Sequence, residues 1–274
     1  MFRCSIAVVL LLLSVGNAQQ VFTPETNSQT APLRSEALAS DQQALELISK
    51  AQTALTNGAQ IKDMTLRGMA ILAVPRSADA DVVIKTRGSR QSSISYSDGI
   101  RRLETRNDKK VPAGQWMDSM NVLHRTAFHN SLIPAGILNP IALLDGVVQP
   151  SSTLTYVGLE TFEGNEVLHL RYFHRPPKNR SHMVEFIQGL STLDLFLDSN
   201  SLHVNAVKFN LHPENNALEN IPAELRFEDY RPVENSILVP FHISRFINGN
   251  LDMNLRISSV QVDSGLSETE FALQ

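Results

Sequence analysis

Residues 251–262 read LDMNLRISSVQV, and their pattern sets the fold class. Leu251, Met253, Leu255 and Ile257 alternate with Asp252, Asn254, Arg256 and Ser258. A period of two puts all the apolar side chains on one face of a β-strand and the polar ones on the other. One dry face and one wet face is the pattern of an antiparallel sheet, since parallel strands are covered on both sides. Upstream, Glu166–Phe173, Leu193–Asp198, Val204–His212, Ala223–Tyr230 and Val239–Ile247 read as strands of the same kind. Nearer the N-terminus, Met64, Leu66, Gly68 and Ala70 alternate with Thr65, Arg67 and Met69 in a strand that runs to Val74 and stops at Pro75. Ala80–Thr86 and Gln91–Tyr96 follow, and Ser97-Asp98-Gly99 turns the chain into Ile100–Thr105. Asp-Gly between two β-type runs is a strong short-range hairpin signal.

Two segments break this period. Ser40 or Asp41 is suited to cap a helix, Leu45, Ile48, Ala51, Gln52 and Leu55 recur at helical spacing, and Asn57-Gly58 stops it. Residues 115–148 are apolar, lack alternation and contain Pro134 and Pro140, which predicts two or three short helices packed on one face of the sheet. The fold class expected is therefore mainly β (α+β): an antiparallel sheet with an N-terminal helix and a central helical segment.

The first eighteen residues predict export. Arg3 supplies a positive start, Ile6–Leu13 an apolar core, and Gly16-Asn17-Ala18 the small residues before a cut at Gln19. The apolar run is about ten residues, well short of the roughly twenty a membrane-spanning helix needs. Cys4 precedes that core, where a lipid-modified cysteine would follow it. The chain divides into a signal peptide (1–18), a polar leader (19–39) and one domain (40–274), destined for the periplasm or otherwise exported. Cleavage removes the one cysteine, so the mature domain has no disulfide and must rest on its core. Of 24 Lys and Arg, losing Arg3 leaves 23 against 28 Asp and Glu, a net charge of −5. That balance argues against nucleic acid, which needs clustered bases.

Catalytic and metal-binding patterns are not evident. There is no G-x-S-x-G and no H-E-x-x-H. His124 and His129 are five apart, as are His169 and His174, so neither pair shares a face to grip zinc. Glu224 and Glu228 share one face of a strand opposite Leu225 and Phe227, as a solvated sheet face would have them. The reading is a non-enzyme with no cofactor and no metal. The basic run Arg87, Arg90, Arg101, Arg102, Arg106, Lys109 and Lys110 reads as a soluble hairpin face or a partner surface.

The order of these features resembles the periplasmic lipoprotein-carrier family (LolA/LolB-like). The resemblance is carried by the long strand ending at Val74-Pro75, the Ser97–Gly99 hairpin, and Leu195-Phe196-Leu197-Asp198. Phe227-Glu228-Asp229-Tyr230-Arg231 before Leu238-Val239-Pro240, and Ile257–Val260 through Leu266 to Phe271, add to it. It spans most of residues 40–274 and implies an unclosed antiparallel β-barrel, or half-barrel, with a helical lid on its concave face and an apolar cavity. What it implies for function is a monomeric carrier, not an integral membrane protein, that sequesters a lipid or a lipidated protein. The better-known carriers place an Arg directly before the strand-ending Pro as a lid latch, where this chain has Val74. Strand parity then nominates Leu66, Leu168, Leu170, Leu225, Phe227, Phe241, Ile243, Met253 and Leu255 as cavity lining, with Trp116, Met117, Ile137, Leu138 and Leu143 from the lid. The alternative is an envelope-protein interaction or sensor module on the same half-barrel, docking through Arg87, Arg101 and Arg102.

Overall fold

Alternation along so many runs calls for antiparallel sheet with one buried face, and the computed structural model has a single long one. It describes residues 39–73, 78–97, 102–108, 111–118, 120–176 and 182–274. Thirteen strands are ordered β6-β5-β4-β3-β2-β1-β13-β12-β11-β10-β9-β8-β7. The first group is β1 (Asp63–Leu72), β2 (Ala78–Arg87), β3 (Gln91–Tyr96), β4 (Arg102–Asn107), β5 (Gly114–Met117) and β6 (Leu123–Arg125). The second is β7 (Ser152–Phe162), β8 (Asn165–His174), β9 (Leu193–Asp198), β10 (Val204–Leu211), β11 (Ile221–Pro232), β12 (Leu238–Ile247) and β13 (Asn250–Val262). Each group is an antiparallel meander, and β13 returns to pair with β1 and join them. β6 and β7 remain the two edges, so the sheet is an unclosed half-barrel.

Short turns make the meander possible. Asn248-Gly249 links β12 to β13 with φ of 50° and 74°, the left-handed pair that a two-residue hairpin needs. Gly68 meets a different demand. A Cβ there would stand 2.2 Å from the Arg256 carbonyl oxygen, at a register shift where β13 crowds β1. The strands expected on either side of Ser97–Gly99 pair antiparallel, Tyr96 with Arg102, and the turn residues 98–101 themselves lie outside the described residues.

Helix α1 (Gln42–Thr56) forms where its cap signals place it. Asp41 accepts the Gln43 N–H at 2.9 Å, and Asn57 ends the helix at φ 52°. Ala44, Ile48, Ala51 and Leu55 are its buried stripe. α2 (Pro140–Val147) starts on Asn139, whose side chain accepts the Ile141 N–H at 3.1 Å. It is buried on nearly all sides, as an almost wholly apolar helix must be. α3 (Val184–Ser191) lies between β8 and β9.

The middle of the chain departs from expectation. Residues 115–117 and 123–125, expected at the start of a helical segment, lie in β5 and β6. The edge of β4 offers them a ladder, and pairing overrides a sequence that lacks alternation. Helix begins only at the 3-10 turn Phe128–Ser131 and at α2. β7 and α3 are additions that the sequence pattern does not predict.

After Val262 the tail folds back over the outer face. The buried Asp63 carboxylate accepts from the Ser264 N–H at 2.8 Å, the Ser264 hydroxyl at 3.0 Å, the Gly265 N–H at 3.1 Å and the Leu266 N–H at 3.3 Å. The turn Glu268–Phe271 then buries Phe271 completely, with Glu270 paired to Lys85 and Glu268 to Arg87.

Candidate functional site

The inner face of the sheet, the one under α1 and α2, is the candidate site. Direct cross-strand neighbours share a face, so the register places every inward residue. Phe227 faces Ile243, which faces Leu255, then Ala70 and Ala80. Leu225 faces Val207, Leu195 and Leu170. All nine strand residues nominated from parity point inward. Leu66, Leu170, Leu225, Phe227, Ile243, Met253 and Leu255 are buried in one core cluster, and Leu168 and Phe241 are partly buried against it. From the cover, Leu138 and Leu143 join the same core and Ile137 packs on it. Trp116 and Met117 cannot act together, since adjacent strand residues face opposite ways. Trp116 lies on the inner face opposite Glu104 and His124, and Met117 on the other opposite Leu103 and Leu123.

The protein's own helices fill this surface. Ile48 and Leu55 of α1 and Leu143, Leu144 and Val147 of α2 are completely buried against it. An acyl chain entering here would replace apolar contacts with apolar contacts, a near-neutral exchange. The polar ties of the cover therefore set the energy of opening. Asn139 donates to the Thr86 hydroxyl at 2.9 Å, and Gln52 donates to Asp145 at 2.7 Å, tying α1 to α2. Burial raises the Asp145 carboxyl above its ordinary pKa, and the Gln52 hydrogen bond only partly offsets this. Arg90 donates to Gln149 at 2.8 Å.

The strongest tie is Arg106 on β4. Its guanidinium donates to the carbonyl oxygens of Ser131 at 2.6 Å, Ile133 at 2.9 Å and Asn130 at 3.4 Å, all in the segment leading to α2. It also pairs with Asp108 at 3.1 Å, and its side chain is only 16% exposed. Burial raises the Asp108 pKa, with Arg106 opposing. The sequence pattern groups Arg106 with a solvated hairpin. Its parity with Glu104 and Ser92, on the inner row, is the signal that points the other way.

Arg87 pairs with Glu268 at 3.2 Å and donates to Gln91 at 2.8 Å, so its charge serves the tail. Arg101 lies outside the described residues, as do Val74 and Pro75, and the Arg102 side chain is likewise not described. Among the described residues no group of three His, Cys, Asp or Glu is placed to hold a metal. A Ser–His–Glu line does occur on the outer face. Ser244 Oγ lies 3.4 Å from His242 Nε2, and Nδ1 lies 2.6 Å from Glu228. Ser244, however, is buried mid-strand, in register with Arg226 on β11 and Asn254 on β13, so the two ladders occupy the backbone N–H groups around it and none is offered to an oxyanion.

The outer face also holds a titratable cluster. His169 Nδ1 and Nε2 each lie 2.8 Å from a carboxylate, Glu160 and Asp194, and the ring stacks 4.7 Å from Phe196. Burial opposes charge on this ring, but the Asp194 and Glu160 hydrogen bonds prevail and raise its pKa.

An unclosed antiparallel half-barrel with a helical cover on an apolar inner face is the class this chain falls in. Comparison with solved structures gives that fold a name, the LolA-like fold. The chain is similar to a domain from Vibrio parahaemolyticus provisionally assigned to outer membrane lipoprotein sorting, at 14% identity and TM-score 0.56, covering 84% of this chain and 96% of that one. It is similar to a DUF1329 family protein from Desulfovibrio piger at 9% identity and TM-score 0.56, with coverages of 84% and 96%. A LolA superfamily protein from Nitrosomonas europaea matches at 9% identity and TM-score 0.52, with coverages of 84% and 97%. No family model matches the sequence, and no curated protein matches it.

Proposed function

We propose that the chain is an exported carrier, cut after Ala18, that shelters an acyl chain of a lipid or lipidated protein on its inner face. One observation carries this reading: a continuous apolar face spanning β7 to β2 is covered by helices tied down by few polar contacts. The driving force is desolvation of the acyl chain, about 0.8 kcal/mol for each CH₂ removed from water, offset by the apolar surface that the displaced cover exposes. The fold shared with a domain provisionally assigned to lipoprotein sorting supports the reading. Of the residues nominated for docking through the basic hairpin, Arg87 is engaged with Glu268 and Gln91, and Arg101 lies outside the described residues. Native mass spectrometry of protein purified from cells, with titration of a fluorescent fatty acid, tests the carrier. A ligand-free spectrum together with no fatty-acid binding would remove its basis.

A further inference from the structure

The inner face is apolar along only part of its width. One row of direct cross-strand neighbours runs Val260, Leu66, Ile84, Ile94, Glu104, Trp116, His124 from β13 to β6. Its first four members pack in the core or against it, and its last three are a carboxylate, an indole and an imidazole. The flanking rows reach charged residues on the same strand, β4. Ile257, Gly68, Val82 and the core residue Tyr96 lead to Arg102, and Val262 and Met64 lead through Thr86 and Ser92 to Arg106. Three adjacent rows that each meet a charged residue on β4 define a lip, which one stray residue would not. The lip meets water: the His124 side chain is 39% exposed and lies 3.1 Å from Asp118. Trp116 stacks on His124 with ring centroids 4.2 Å apart and planes at 19°. An indole has an apolar body and one polar tip, which suits a boundary between dry and wet.

We infer that the ligand is an amphiphile held in one orientation, its hydrogen-bonding head on the β4–β6 lip and its chain running towards β1 and β13. This rests on the carrier reading and adds the ligand's class and direction. Strands lie about 4.8 Å apart, so Trp116 sits roughly 10 Å past Ile94, the last apolar member of the row.

Trp116 is the only tryptophan in the sequence, so its fluorescence reports on this lip alone. Delipidated protein is titrated with hexadecanoate brominated at carbon 2, hexadecanoate brominated at carbon 16, and headless 1-bromohexadecane. Native mass spectrometry records occupancy in the same samples. The carbon-2 bromine is expected to quench Trp116 at least twofold more than the carbon-16 bromine at equal occupancy. The headless compound should bind without a fixed orientation and quench to an intermediate degree. Equal quenching by both acids, stronger quenching by the terminal bromine, or bound acids with no quenching overturns the orientation and leaves the carrier standing. No bound acid in the mass spectrum overturns the carrier itself.

Discussion

Replacing Arg106 with Met keeps a long side chain on β4 and deletes the ties to the cover. The loss comprises two short charge-assisted hydrogen bonds, to Ser131 at 2.6 Å and Ile133 at 2.9 Å, each worth about 1.5–3 kcal/mol. Both acceptor residues are buried, so their carbonyls lose a partner that water cannot readily replace. Asp108 also loses its ion pair while remaining largely buried. One term offsets this: Arg106 Nε is itself buried without a hydrogen-bond partner, and its removal relieves about 1 kcal/mol. The net cost is about 2–5 kcal/mol, or a fall in Tm of roughly 4–20 °C for a chain of this size. Arg87→Met is the control. It deletes an ion pair whose partners are 35% and 52% exposed, together with the hydrogen bond to Gln91, and should cost about 1–2 kcal/mol. Hydrogen exchange followed by mass spectrometry should show faster exchange over residues 127–148 in the Arg106 variant, and uptake of a fluorescent fatty acid should accelerate. A Tm within about two degrees of wild type, with unchanged exchange over 127–148, would refute Arg106 as the tie on the cover.

Three further outcomes follow from the same geometry. The raised His169 pKa contributes stability fully below about pH 6.5, and that stability fades as pH rises through the higher folded value. Urea unfolding should therefore show His169→Gln about 1–2 kcal/mol less stable than wild type near pH 5.5, with the gap narrowing by pH 8.5; a widening gap contradicts the paired imidazolium. Asp63→Ala strands the Ser264, Gly265 and Leu266 N–H groups and should cost about 3 kcal/mol. Carboxypeptidase should then trim the tail past Phe271 faster than in wild type, and equal trimming rates would show that Asp63 does not hold the tail. Gly68→Ala should cost more than about 2 kcal/mol in thermal unfolding, because its Cβ would stand 2.2 Å from backbone; a neutral result means that the β1–β13 bulge yields freely.

Local pattern in the chain is enough to establish the β class, the facing of the strands and helix α1. Alternation is local, and once one face is buried a strand has only one register that hides its apolar set. That is why the inward facing of Leu66, Leu225, Ile243, Met253 and Leu255 follows from their spacing in the chain. The cap pair Asp41 and Asn57 bounds α1 for an equally local reason. Other features arise only when distant segments meet. β5 and β6 exist because β4 offers them an edge, so no window of sequence around Trp116 could announce a strand. Arg106 becomes the tie on the cover because residues 130–133 bring three carbonyls to it from across the fold. A charge on a strand has no fixed role until the chain that covers it is in place. Its neighbours in space, distant in sequence, decide whether it is solvated or buried and bonded.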